Sequence, residues 1–219
     1  MRSLWISWLA LALWFSAGNA HAADRSSRGV PGEFDYYVLA LSWSPSYCDA
    51  AGDRANRLQC SSGRRFSFVV HGLWPQYERG WPQYCDRDAG RLTRSQVDSV
   101  LDIVPSPGLV RHEWQKHGTC SGLSGDGYLE HLRKAYDKVR IPEAFARIDR
   151  YLTVDPIKVE KSFLKINADL PGDGIAVTCD RRRLREVRIC FTRDLEFRPC
   201  HAVDTRACRK RRVVMPPVR

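Results

Sequence analysis

Phe68-Val-Val-His71-Gly-Leu-Trp-Pro75 and His112-Glu-Trp-Gln-Lys-His117-Gly-Thr-Cys120 are the two stretches on which the reading of this chain turns. The first is apolar up to a histidine and then meets a glycine. The second gathers two imidazoles, a carboxylate and an ammonium into about one and a half helical turns. Histidine is the side chain whose proton moves near neutral pH, so two histidines that meet in a fold form a general acid and general base pair.

Local patterning places the two stretches on different elements. Arg65 to His71 alternates, with Phe66, Phe68 and Val70 on one face and Val69 and His71 on the other, so a strand is expected that Gly72 breaks. Asp35 to Ser44, aromatic and aliphatic and ended by Pro45, reads as a buried strand. Thr93 with Gln96 makes a capping box before Val97, Val100, Leu101 and Val104, a short helix stopped at Pro105. Ser106-Pro107 caps and starts a second helix, which runs through His112 and ends at Gly118 as its C′ residue. Apolar residues at 128, 132, 135, 136 and 139 give Tyr128 to Val139 a helical face. Asp155-Pro156 opens a helix to about Ala168, while Gly174 to Cys179 and Leu184 to Thr192 read as a hairpin. With no repeats, no low-complexity block and no long linker, one α+β domain over residues 23–219 is the economical expectation.

The first residues read as a targeting segment. Arg2 supplies a positive start, Leu4 to Phe15 an apolar run, and Ala20-His21-Ala22 a small-x-small cleavage signal, so residues 1–22 are expected to be removed. The run falls short of the ~20 residues of a membrane-spanning helix, and the mature chain is expected to be exported and free of the membrane. Its eight cysteines (Cys48, Cys60, Cys85, Cys120, Cys179, Cys190, Cys200 and Cys208) then read as four disulfides. Spacing alone leaves their pairing open. Removing the segment takes away Arg2 and no acidic residue, so the net charge falls from +10 to +9, which suits a polyanionic partner and equally suits plain solubility.

On the second helix Glu113 and His117 stand at i and i+4 and share a face, as do His112 and Lys116 on a face turned by about 100°. Zinc-protease chemistry needs histidines at i and i+4 with a glutamate between them. Here Lys116 fills the fourth position and the second histidine comes one residue late, about 140° away from the first. Serine-hydrolase and phosphate-loop motifs are absent, as is any Cys-x2-Cys pair.

With these residues in view, the chain resembles the ribonuclease T2 family. Phe68 to Pro75 matches its Phe-x-x-His-Gly-Leu-Trp-Pro signature and His112 to Cys120 its His-Glu-Trp-x-Lys-His-Gly-Thr-Cys signature. The resemblance extends to Leu41-Ser-Trp-Ser-Pro-Ser-Tyr-Cys48 and to the four-cysteine C-terminal section. It implies an antiparallel sheet with packed helices, and disulfides Cys85–Cys120, Cys179–Cys208 and Cys190–Cys200, leaving Cys48–Cys60 as the fourth. It also implies an endoribonuclease, a transphosphorylating RNA lyase with no cofactor and no metal. Single-stranded RNA would be cut to 2′,3′-cyclic phosphates and, more slowly, to 3′-phosphates. His117 would be the base and His71 the acid, with Lys116 and Glu113 stabilising the transition state and His112 holding the phosphate or downstream nucleotide. Trp74 is read either as a stacking platform for a base or as a core residue locking the His71 turn, with Gln76 and Tyr77 facing the same pocket. Trp114 is expected in the core, and His131 and His201 outside the site. Arg181-Arg182-Arg183 and Arg209-Lys210-Arg211-Arg212 read as a solvated turn and a disordered tail, or alternatively as guides for RNA. The resemblance gives no reason to demand a dimer, and a monomer is expected.

Overall fold

The computed structural model describes residues 29–218; the expected signal segment lies outside them. Its organising element is strand β1 (Tyr36–Trp43), followed directly by helix α1 (Ser44–Ala51), with Pro45 in the first turn. A short helix α2 (Arg57–Cys60) precedes strand β2 (Phe68–Gln76), and helices α3 (Arg94–Asp98), α4 (Pro107–Lys116) and α5 (Gly125–Lys138) follow. Strand β3 (Leu152–Val154), helix α6 (Pro156–Ile166), the hairpin β4 (Ile175–Cys179) and β5 (Leu184–Phe191), helix α7 (His201–Asp204) and strand β6 (Val213–Met215) complete the order. The main sheet is antiparallel in the order β2-β1-β5-β4, and β3 pairs with β6 in a second, two-stranded sheet. This is the expected α+β fold.

Side chains alternate across β1. Tyr37, Leu39, Leu41 and Trp43 enter the main core, where Trp43, Phe68, Phe145 and Phe163 pack edge-on or stacked. Residues of α5 and α6, Tyr128, Leu132 and Phe163 among them, cover that face. On the other face Tyr36 and Val38 join a small apolar cluster, and then come two small residues, Ala40 and Ser42.

Strand β2 does not end at Gly72. It continues to Gln76 because the ladder to β1 shifts register: Ala40 pairs with Gly72 and Leu41 with Val70, leaving His71 as an extra residue. A bulge of this kind re-aims one side chain while pairing resumes beyond it. Phe66 lies before the strand, half-buried beneath the Arg64 guanidinium rather than in the core.

The capping box of Thr93 and Gln96 is present at the start of α3, and Ser106 accepts the Leu109 N–H at the start of α4. Gly118 is not a left-handed C′ residue. It opens a 3-10 turn, and left-handed geometry comes later, at Gly122. What Gly118 supplies is room, since a Cβ there would stand 2.5 Å from Trp114 Cε3 and 2.9 Å from Tyr128 Cδ1.

The four disulfides are Cys48–Cys60, Cys85–Cys120, Cys179–Cys208 and Cys190–Cys200, as the family resemblance implies. Cys85–Cys120 spans 35 residues, a loop whose closure is worth roughly 3–4 kcal/mol in the chain-entropy account. The C-terminal section is structured rather than a disordered tail. Arg209 to Arg212 are exposed, but β6 pairs with β3 just after them, and Val214 N–H donates to Arg182 O. No helix among the described residues is long and apolar enough to cross a membrane.

Candidate active site

Helix α4 is held beside the edge strand β2 through its C-terminal end. Its last turn is closed by His117 N–H donating to Glu113 O, and Tyr84 N–H reaches Lys116 O at 2.8 Å. Tyr84 adopts φ of 51° to do so, left-handed geometry uncommon for a side chain of its size. The neighbouring Cys85 is bonded to Cys120. The segment after the first motif is thereby fastened to the end of the second.

Between helix and strand the side chains form a continuous set of contacts. Glu113, 4% exposed, accepts the Trp74 indole N–H at 2.6 Å on Oε2 and presents Oε1 3.7 Å from His71 Nε2. Gly72 makes this meeting possible, because a methyl there would collide with Glu113 Oε2 and Trp74 Nε1. The Trp74 ring lies 5.3 Å from the His71 ring and 5.5 Å from the His117 ring, centroid to centroid. His71, Trp74, Gln76, His112, Glu113, Lys116 and His117 all line one cleft of about 290 Å³. Gln76 is buried, with its amide N–H on Pro75 O. A neighbouring cleft of about 520 Å³ shares His71 and His112 and is bounded by Tyr47, Val69 and Leu109.

Other residues fall where the motif pattern leaves them. Trp114 is buried with its indole N–H on Gly90 O. His131 packs near Tyr37 and His201 is exposed at the start of α7, both away from the cleft. Tyr77 packs against the main core.

Trp81, Arg206, Glu186 and Arg188, outside the motifs, also border these clefts. Trp81 and Arg206 are paired face to cation at 5.4 Å and close one side. From β5, Glu186 Oε1 stands 2.6 Å from His71 Nδ1, while Arg188 donates through Nε at 3.0 Å and Nη2 at 2.8 Å to Glu186 Oε2. The Arg188 guanidinium lies 5.2 Å from the Trp74 ring centroid. One trace of this was visible in the sequence: small residues at 40 and 42, alternating with large ones, leave the sheet face open for side chains to meet across it.

The two histidines differ electrostatically. Burial alone would lower the pKa of His71, but the Glu186 hydrogen bond and charge, then the Glu113 charge, raise it above the ordinary histidine value. Burial of His117, reinforced by Lys116, His71 and His112, pushes its pKa down to about 3. Its Nδ1 is buried without a hydrogen-bond partner among the described residues. Desolvation raises the pKa of Glu113 against the pull of His71 and the Trp74 hydrogen bond. Burial would also raise Glu186, but its bonds and charges with His71 and Arg188 win and hold it at about 2. Among the described residues no group of three or more His, Cys, Asp and Glu side chains is arranged to hold a metal ion.

One imidazole with its pKa raised and one with its pKa lowered, on a cleft that also carries Lys116, form a pair suited to general acid–base chemistry. Residues 34–200 match the ribonuclease T2 family. The ribonuclease of Aeromonas hydrophila is 39% identical over 189 residues, covering 85% of this chain and 82% of its own length. Ribonuclease I of Escherichia coli (strain K12) is 28% identical over 248 residues, 92% of this chain and 91% of its own. Among solved structures, RNase NT in complex with 5′-AMP superposes with a TM-score of 0.65 at 24% identity, covering 84% of this chain and 99% of that one. The chain belongs to the ribonuclease T2 family and is an endoribonuclease of the T2 type.

Proposed function

We propose that the protein cleaves single-stranded RNA by acid–base transphosphorylation, with no metal or cofactor. RNA brings its own nucleophile, the 2′-OH beside each phosphodiester. His117, neutral at working pH, takes the 2′-OH proton. The 2′-oxygen attacks phosphorus, the bond from phosphorus to the 5′-oxygen breaks, and His71 gives its Nε2 proton to the departing oxygen. The product is a 2′,3′-cyclic phosphate. In slower hydrolysis to a 3′-phosphate the roles exchange: His71 takes a proton from water and His117 returns one to the 2′-oxygen.

The observation that carries this reading is the opposed setting of the two imidazoles, His71 facing Glu186 and Glu113 and His117 dry beside Lys116. A base must be neutral and an acid protonated before the step begins, so environments that separate two histidines also assign them. Lys116 supplies positive charge for the phosphorane oxygens, and such preorganised charge is often the largest catalytic contribution. Glu113 acts beside it, its raised pKa allowing a proton to be shared with a phosphate oxygen. His112, exposed at the cleft edge, holds the phosphate or the downstream nucleotide. Trp74 and Gln76 border the upstream base, with Trp74 also fixing Glu113 through its indole N–H.

The four disulfides support an exported protein, periplasmic or secreted, made with residues 1–22 as a cleaved signal and 23–219 as one catalytic domain. It acts as a monomer on RNA. The test is digestion of single-stranded RNA and DNA of one sequence in EDTA. RNA fragments with 2′,3′-cyclic ends and intact DNA are expected, since DNA lacks the 2′-OH. Cleavage that needs added metal, or equal cleavage of DNA, overturns the mechanism.

A further inference from the structure

We infer that Glu186 is a positioning residue for the acid His71, reaching it across the central strand and fixing which nitrogen carries the proton to the leaving group. The inference deepens the proposed function and rests on its assignment of His71. Adjacent strands lie about 4.8 Å apart, so β2 and β5, on either side of β1, are separated by about twice that. Their side chains meet only where the strand between them is low. Ala40 pairs with Arg188 and Gly72, and Ser42 with Glu186 and Val69. The small residues clear the space, and the bulge at His71 turns the ring into it. Ser42 Oγ also donates to Glu186 Oε1, at 3.5 Å.

The chemistry of the contact is one-directional. An ionised carboxylate only accepts, so His71 Nδ1 must carry the hydrogen directed at Glu186 Oε1. Nε2, on the side of Glu113 and the cleft, is left as the nitrogen that exchanges a proton with substrate. Arg188 occupies the other oxygen of Glu186 with two donors. Glu186 therefore keeps its charge and takes no proton during the reaction; the only proton that moves on this side is the Nε2 proton of His71. The charges facing His71 are Glu186 and Arg188 from β5 and Glu113 from α4, with His117 beyond. Of these, only Glu186 bonds the nitrogen remote from the substrate.

The experiment is the pH dependence of kcat/KM for a defined dinucleoside monophosphate, with wild type, Glu186→Gln, Glu186→Asp and Arg188→Met, folding being checked by circular dichroism. In Glu186→Gln the alkaline limb moves to lower pH by about one unit, since removing the negative charge lowers the pKa of the acid, and each unit is about tenfold in protonated fraction. The loss is then about tenfold at pH 8 and much smaller at pH 5, with KM little changed. Glu186→Asp restores part of the shift. For hydrolysis of a 2′,3′-cyclic phosphate, in which His71 must begin neutral, the same substitution moves the acid limb down and so raises the rate at low pH. A uniform loss at every pH, or an unmoved limb, overturns the inference and leaves Glu186 a structural residue. Should Glu186→Gln not fold, Arg188→Met decides: removing the positive charge near His71 moves the alkaline limb up, and an unmoved limb again overturns the inference. Failure of the underlying assignment is visible separately, as a wild type that does not cleave RNA or a His71→Ala variant at full rate.

Discussion

His71 and His117 are the same residue in two settings built from different architecture. His71 sits on a strand bulge, half open to solvent, with a carboxylate on each ring nitrogen's side. His117 ends a helix, is 6% exposed, has Lys116 next to it and leaves Nδ1 without a partner among the described residues. A sheet face can bring in charge from a strand far away in sequence, while a helix end supplies what its own turn carries. Their separated proton affinities are a product of that difference, and no short motif specifies it alone.

The contrast breaks most severely when either ring is removed. His71→Ala and His117→Ala are each expected to slow RNA cleavage by about 10²–10⁴-fold, the usual worth of one positioned proton transfer, while near-native circular dichroism is kept. Initial rates on a short single-stranded RNA measure it, and a variant within threefold of wild type contradicts the assigned role.

A smaller effect comes from pressing the two sides apart without touching a histidine. In Gly72→Ala the new methyl displaces Glu113 Oε2 or the Trp74 indole, and turnover is expected to fall on the order of 10–100-fold, the scale on which a small misplacement is felt. The comparison is sharpened if Gly118→Ala, in the crowded turn between Trp114 and Tyr128, lowers the melting temperature more than Gly72→Ala does. The reverse order would mean that the crowding at Gly72 is chiefly structural.

The smallest expected effect is on stability, and its sign differs between the two rings. His71 has a raised folded pKa, so its contribution is full below the unfolded value near 6.5 and is lost as pH rises through the folded one. His117 has a folded pKa of about 3, so the unfolded state gains protons first and stability falls as pH drops below about 6.5. Relative to wild type, His71→Ala should therefore lose more at pH 5 than at pH 8, and His117→Ala more at pH 8 than at pH 5. The differences amount to a few degrees in melting temperature, about 2–4 °C per kcal/mol for a chain of this size. Two variants with parallel pH profiles would show that their environments are not opposed.

Apolar runs made β1 and the β4–β5 hairpin legible, periodicity made α5 so, and capping residues marked the starts of α3, α4 and α6, because those signals act within a few residues. Gly72 was harder. A glycine after an apolar run reads as a breaker, yet here it continues a strand past a bulge, and its lack of a side chain serves Glu113 on a helix some forty residues on. Gly118 misleads likewise, since close packing and left-handed geometry both select glycine. The motif residues Trp74, His112 and Lys116, with Gln76 just after the first motif, were read as sharing one site, and the structure brings them to one cleft. Glu186 and Arg188 were not, because alternating charges on a strand look the same whether they face water or an imidazole 115 residues away. The order of that tail as a strand pair was equally hidden, its partner β3 lying some sixty residues upstream.

The sheet order β2-β1-β5-β4 also sets a timetable for synthesis. As the chain emerges, both histidine motifs are complete while β5 is still unmade, and β1 has a partner on one side only. Contacts so distant along the chain are slow to form, and the carboxylate opposite His71 arrives only with β5, after both motifs are complete. A fragment released before residue 184 would hold every motif residue and lack the strand that completes the sheet. Chain order thus leaves His71 without its Glu186 contact until β5 is made.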